Sequence, residues 1–176
     1  SVECGLYLMA QQSTDIQRLS RLNATLKDIT STMIVSRDFR EIADRLLAIL
    51  QRMLPAESLE FHAQLEGDRV LHLAPETRYR GVTAAPPEFV SHMFGINRES
   101  WEASALGGAS FKVIDINDAS ASSRQRMLLP LFKEQEDWMY GVALVNLSEP
   151  VQLNDDIHQM MSQMSAALQV AVEREA

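Results

Sequence analysis

Around Leu59-Glu60-Phe61-His62-Ala63-Gln64-Leu65 apolar and polar residues alternate strictly, whereas nearer both ends of the chain the apolar residues recur every three or four positions. A period of two builds a strand with one buried face, and a period near 3.6 builds a helix with one buried stripe. This switch of period within one chain of 176 residues restricts it to an α+β fold, with helices flanking an antiparallel sheet. The length suits one well-filled core with helical flanks.

From about Thr14 to Ser36, Leu19, Leu22, Leu26, Ile29 and Met33 recur at intervals of 3, 4, 3 and 4. That is the seam of a helix packing on another helix, and Ser13 or Thr14 is its expected cap. A second helix is expected over Asp38–Leu54, with a wide apolar stripe from Phe39 to Met53 and a stop at Pro55. Leu59–Leu65 and Val70–Leu73 read as a hairpin about the turn Glu66–Arg69. A short helix is expected over 84–94, a loop or broken helix over 96–109, and a strand at Phe111–Ile116. A polar loop follows at Asn117–Arg124. Arg126–Lys133 and Trp138–Leu147 form a second hairpin about the acidic run 134–137, read as a solvated turn. The last helix, Asn154–Glu173, repeats the seam through Ile157, Met161, Met164, Leu168 and Ala171, with no glycine or proline stop after it. Its continuation into an output domain outside this chain is the expectation.

Composition removes several classes of function. With 16 basic against 24 acidic residues the net charge is -8, the wrong sign for neutralising phosphates, so nucleic acid and anionic membrane surfaces are not expected partners. Cys4 is the one cysteine, which leaves no internal disulfide and points to the reducing cytoplasm. The segment GLYLMA at 5–10 falls far short of the ~20 residues a spanning helix needs. No nucleophile with its base, no metal-ligand spacing and no phosphate-binding glycine loop can be assembled; Gly107-Gly108 reads as a turn. A free-standing enzyme is therefore not expected.

The order of elements resembles the GAF family of small-molecule sensor domains. The resemblance is carried by Asp38-Phe39-Arg40-Glu41-Ile42-Ala43, Leu128-Leu129-Pro130-Leu131-Phe132, Tyr140-Gly141-Val142-Ala143-Leu144-Val145-Asn146 and Leu153-Asn154-Asp155-Asp156, and covers residues 38–173. It implies a GAF-like central antiparallel sheet of five to six strands. The N- and C-terminal helices would pack on one face, with a lid and ligand pocket on the other. It also implies dimerisation through the flanking helices, which assigns both seams, Leu19 to Met33 and Ile157 to Ala171, to a parallel homodimer. The domain plan becomes a coiled-coil-like helix at 1–36, a sensor core at 37–153 and a signalling helix at 154–176. A diguanylate cyclase in cyclic di-GMP signalling is the first candidate for the attached output, by analogy of arrangement, and a histidine kinase the second. The rival reading is a ligand-free dimerisation module.

Within that family the cyclic-nucleotide signature Asn-Lys-Phe-Asp-Glu is not recognisable here. Bilin attachment and thiol-based methionine sulfoxide reduction need cysteines that this core lacks. The resemblance names no particular ligand or cofactor. In the strand 138–147 the parity Trp138, Tyr140, Val142, Leu144, Asn146 offers aromatic bulk and polar handles, as a ligand pocket requires. Tyr140 and Asn146 are the leading candidate ligand contacts, with His62, His92, Trp101 and Asp115 as neighbours. A two-residue turn would set His62 opposite Leu73 and His72 opposite Ala63, on different faces, so no histidine pair is expected to hold a metal. His158 is expected on a solvated helix face.

Overall fold

The computed structural model describes residues 2–36, 38–64, 70–73, 92–103, 111–116, 124–132 and 137–175. Helix α1 spans Val2–Val35, α2 Phe39–Leu50, α3 Arg98–Ala103 and α4 Asp155–Glu175; the strands are β1 Ala56–Gln64, β2 Val70–Leu73, β3 Lys112–Ile116, β4 Arg124–Phe132 and β5 Met139–Leu147. The strands form one antiparallel five-stranded sheet in the order β2-β1-β5-β4-β3. This is the expected α+β class. The turn Glu66–Arg69, most of the helix at 84–94, Gly107-Gly108, most of the polar loop at 117–124 and residues 134–136 lie outside the described residues.

Caps fix the helix starts. Asp38 accepts a hydrogen bond from the Glu41 amide at 2.9 Å and opens α2; Asn154 accepts from the Ile157 amide at 2.9 Å and opens α4. Asn97 accepts from the Ser100 amide at 2.7 Å and opens α3, in the region expected to be a loop or broken helix. α1, by contrast, passes straight through its expected cap. The Thr14 hydroxyl donates backwards to the Ala10 carbonyl at 3.0 Å instead of capping. The helix therefore begins near Val2.

One face of the sheet carries the main core. Leu59, Phe61 and Ala63 of β1, Met127, Leu129 and Leu131 of β4, and Ala143, Val145 and Leu147 of β5 pack there with the buried stripes of α1, α2 and α4. Ile157, Met161, Met164, Leu168 and Ala171 all lie inside this core, at most 4% exposed. This corrects the dimer assignment of that seam, because the side chains that were to meet a second copy are consumed by the chain's own sheet and helices. Leu22, Ile29 and Met33 are buried likewise, whereas Leu26 is half-buried and Leu19 exposed. Of the two seams, only the α1 edge near Leu19 and Leu26 stays accessible.

α1 and α4 run parallel. Contacts pair Arg18 with Asp156 (3.6 Å), the Gln163 amide with Thr30 (3.2 Å) and the Arg174 guanidinium with the Met33 carbonyl, so both sequences ascend together. Every residue from Val2 to Arg21 is exposed. That half of α1 projects past the start of α4 by about 25 Å at 1.5 Å per residue.

Candidate functional site

The second face of the sheet is built from alternate residues of the same strands. Registers align Ser58, Asn146, Arg126 and Ile114 in one cross-sheet row, and Glu60, Leu144, Leu128 and Lys112 in the next. His62, Val142 and Pro130 form a third. On this face a smaller apolar cluster joins Val142, Leu144, Leu128, Phe132 and Met139 to Met93 and to Trp101 of α3. The Lys112 ammonium lies 4.2 Å from the Trp101 ring centroid, a cation–π contact, and burial lowers the ammonium below the usual lysine range.

Beside the apolar cluster sits a polar one. The Asn146 amide donates to Ser58 Oγ at 2.8 Å and to Glu60 Oε1 at 3.1 Å. His62 is 3% exposed and its Nε2 lies 3.7 Å from Glu60 Oε2. The His62 imidazole first, then the Asn146 amide and the Arg126 charge, outweigh burial and hold the Glu60 carboxyl below its ordinary range. Arg126 is half-buried, and its Nε–H lies inside without an acceptor among the described residues. The result is a carboxylate held below its ordinary range, within electrostatic reach of a guanidinium whose inner donor has no acceptor among the described residues.

The six expected ligand contacts are distributed unevenly. Asn146, His62 and Trp101 are on this face. Tyr140 is not, which corrects its expected position: β5 carries a bulge, pairing Leu131 with Gly141 but Phe132 with Met139. The extra residue turns Tyr140 onto the helix side, where it joins the main core, and sends Met139 to the opposite face. There the Tyr140 hydroxyl is pushed up to about 12 by burial and by the charge of Glu173. His92 is exposed. Asp115 stands opposite Gln125, in the row between Ile114 and Ile116.

The histidine geometry also differs from expectation. The hairpin register pairs His62 with His72 and Phe61 with Leu73, so the two histidines are direct cross-strand partners. The shift follows from the assumed two-residue turn, which set the register one place off. Among the described residues no group of three metal-ligating side chains comes together. His158, expected in solvent, is half-buried, with its ring 4.9 Å from that of Phe111.

Sequence reasoning missed Ser58, Glu60 and Arg126. The signal for the first two was present, since they share parity with His62 in a strand whose other parity is apolar from Leu59 onward. For Arg126 the signal needed the register against Asn146.

No family model matches the sequence, and no curated protein matches it. Among the described residues no helix is long and apolar enough to cross a membrane. Solved structures similar to the chain include the GAF domain of a putative sensor histidine kinase from Pseudomonas syringae pv. tomato (TM-score 0.49, 13% identity, 95% of this chain and 92% of that one). Free methionine-R-sulfoxide reductase from Neisseria meningitidis, in complex with its substrate, is similar at a TM-score of 0.49 and 17% identity, over 86% and 88% of the two chains. The phycoerythrobilin-bound GAF domain of a cyanobacterial phytochrome has a TM-score of 0.48 and 12% identity, over 89% and 98%.

Proposed function

We propose that this chain is a GAF-like sensory domain acting in the cytoplasm. It receives a small molecule on the sheet face that carries Ser58, Glu60, His62, Arg126 and Asn146, and passes the signal through α4 to an attached output domain. It regulates and does no chemistry of its own. A diguanylate cyclase or a histidine kinase is the output that the arrangement of sensor followed by helix suggests. The observation that carries this reading is the polar cluster itself. An ionised carboxylate and a guanidinium with an unused inner donor are costly to keep beside an apolar cluster, and a ligand would repay that cost.

In this reading the homodimer is carried by the projecting half of α1. Val2, Leu6, Met9 and Ile16 are exposed there at intervals of 4, 3 and 7, a spacing that suits a helix seam.

The alternative is a ligand-free module. It is favoured by the closure of the apolar cluster, where Met93, Trp101, Phe132 and Met139 leave Val142 and Leu144 wholly buried. Native mass spectrometry of the freshly purified chain, compared with a denaturing spectrum, separates the two. A small molecule seen only in the native spectrum supports the sensor, and loss of that mass in Arg126→Met assigns it to this face. A clean apo spectrum together with an Arg126→Met variant of unchanged or higher melting temperature supports the module.

A further inference from the structure

Glu60 and Arg126 carry opposite charges on one face, within electrostatic reach of each other, yet among the described residues no ion pair joins them. The Glu60 oxygens face the Asn146 amide and the His62 imidazole, and the inner N–H of Arg126 has no acceptor. Asn146 stands between the two charges, across from Ser58 on β1 and from Arg126 on β4. Ser58, Glu60, Asn146 and Arg126 are each half-buried, whereas Leu128, Leu144 and Trp101 are covered by the chain's own packing. A ligand arriving on this face therefore meets the polar row and not the apolar cluster.

That row is polarised from one side to the other. Towards β1 it offers acceptors: the Glu60 carboxylate, Ser58 Oγ and Asn146 Oδ1, the atom left over when the amide nitrogen makes both hydrogen bonds. Towards β4 it offers the donors of Arg126. Lys112, on the same face, lies over the Trp101 ring inside the apolar cluster. An anion drawn to Arg126 is pushed away by Glu60, and a cation drawn to Glu60 is pushed away by Arg126. Raising the charge of the ligand scales both terms alike and improves neither case. Only a ligand that presents both signs gains from both residues. A carboxylate matches the guanidinium fork, and the three donors of an ammonium match a group of acceptors.

Given the reading of this face as a ligand site, on which this step rests, we infer that it takes a small zwitterion of the amino-acid class. The carboxylate lies on Arg126, and the ammonium lies among Glu60, Ser58 Oγ and Asn146 Oδ1. Each charged residue then rejects the molecule that lacks its counterpart.

The test uses the full chain, unfolded and refolded to strip any retained molecule, with circular dichroism confirming that each variant is folded. Calorimetric titrations compare alanine, β-alanine and 4-aminobutanoate, zwitterions of increasing span. Each is set against its N-acetyl derivative, an anion, and its carboxamide, a cation. The expected result is that at least one zwitterion binds and that both of its derivatives bind at least tenfold more weakly. Arg126→Met should abolish the preference over the cation and keep the preference over the anion; Glu60→Gln should do the reverse. A side chain that only holds the fold would weaken all three forms alike. A derivative as tight as its zwitterion in the unaltered chain, a variant that weakens all three forms by the same factor, or silence from every probe would each overturn the inference. The native spectrum keeps the two failures apart. A retained molecule lacking either an amine or a carboxylate ends this inference and leaves the site, and no retained molecule alongside silent probes ends both.

Discussion

Gly141 shows how little room the centre of the sheet leaves. A Cβ at this position would meet the Ala63 Cβ at 3.1 Å and the His62 carbonyl at 3.2 Å, and neither neighbour is the loose end of a side chain. Gly141→Ala is expected to destabilise the domain by about 1–3 kcal/mol, read from urea unfolding. An unchanged midpoint would mean that β1 and β5 can separate at no cost. One residue earlier, the bulge at Tyr140 explains why strand parity misplaced a candidate contact: alternation is a rule about regular ladders, and one extra residue reverses it locally. Glu60 offers a second test. Its folded-state pKa lies below the free value of 4.5, so its charge stabilises the fold above that value and the contribution disappears as pH falls through the folded-state pKa. Glu60→Gln should therefore be less stable than the parent at neutral pH, and the gap should close as pH drops below 4.5. A gap constant across that range would show the carboxylate to be unperturbed.

At the scale of elements, the two flanking helices share a pattern and differ in fate. The heptad-like spacing of α1 and α4 was legible in the sequence and states which side of each helix is apolar. It does not state what covers that side, because a sheet and a neighbouring helix of the same chain satisfy the same stripe that a second copy would. In α4 the sheet wins completely. Leu168→Ala should thus cost about 2–5 kcal/mol by opening a cavity in the core, and Leu168→Glu should abolish the cooperative unfolding transition rather than merely separate two folded copies. On the projecting half of α1 the opposite holds. Leu6→Glu combined with Ile16→Glu should leave the melting temperature within the small range of surface changes, while shifting the sedimentation coefficient from dimer to monomer if that half carries self-association. Hydrogen exchange gives an independent reading of the same boundary. Amides of residues 5–16 sit on the projecting part of α1, before its contact with α4 at Arg18, and should exchange much faster than those of 22–33, since an isolated helix of this length is marginal. Equal protection along α1 would show that its exposed half is covered in solution.

The whole molecule is a sheet with a differently built face on each side, and the strands are the described elements common to both. Polar residues that a ligand could use are on one face, and α4 is packed on the other. β4 joins them most directly: Arg126 stands in the ladder opposite Asn146, and its neighbour Met127 points the other way into the core against which α4 packs. Movement of the Arg126 backbone on binding would therefore be felt by α4 through Met127, since a packed core shifts between discrete arrangements rather than yielding continuously. The division into two faces was legible from period-two patterning. The packing of α4 over β4 was not, because no local pattern encodes which strand lies under which helix. Met127→Ala is expected to keep binding on the far face while weakening its effect on α4, at a stability cost of about 2–5 kcal/mol. The measurement is hydrogen exchange of residues 157–172 in each protein as purified with its retained molecule and again after that molecule is removed by unfolding and refolding. In the parent chain, binding should change protection in α4; in Met127→Ala the same occupancy should change it by less than half as much. Equal responses in both proteins would place the path elsewhere, with β1 and α2 the next route across the sheet.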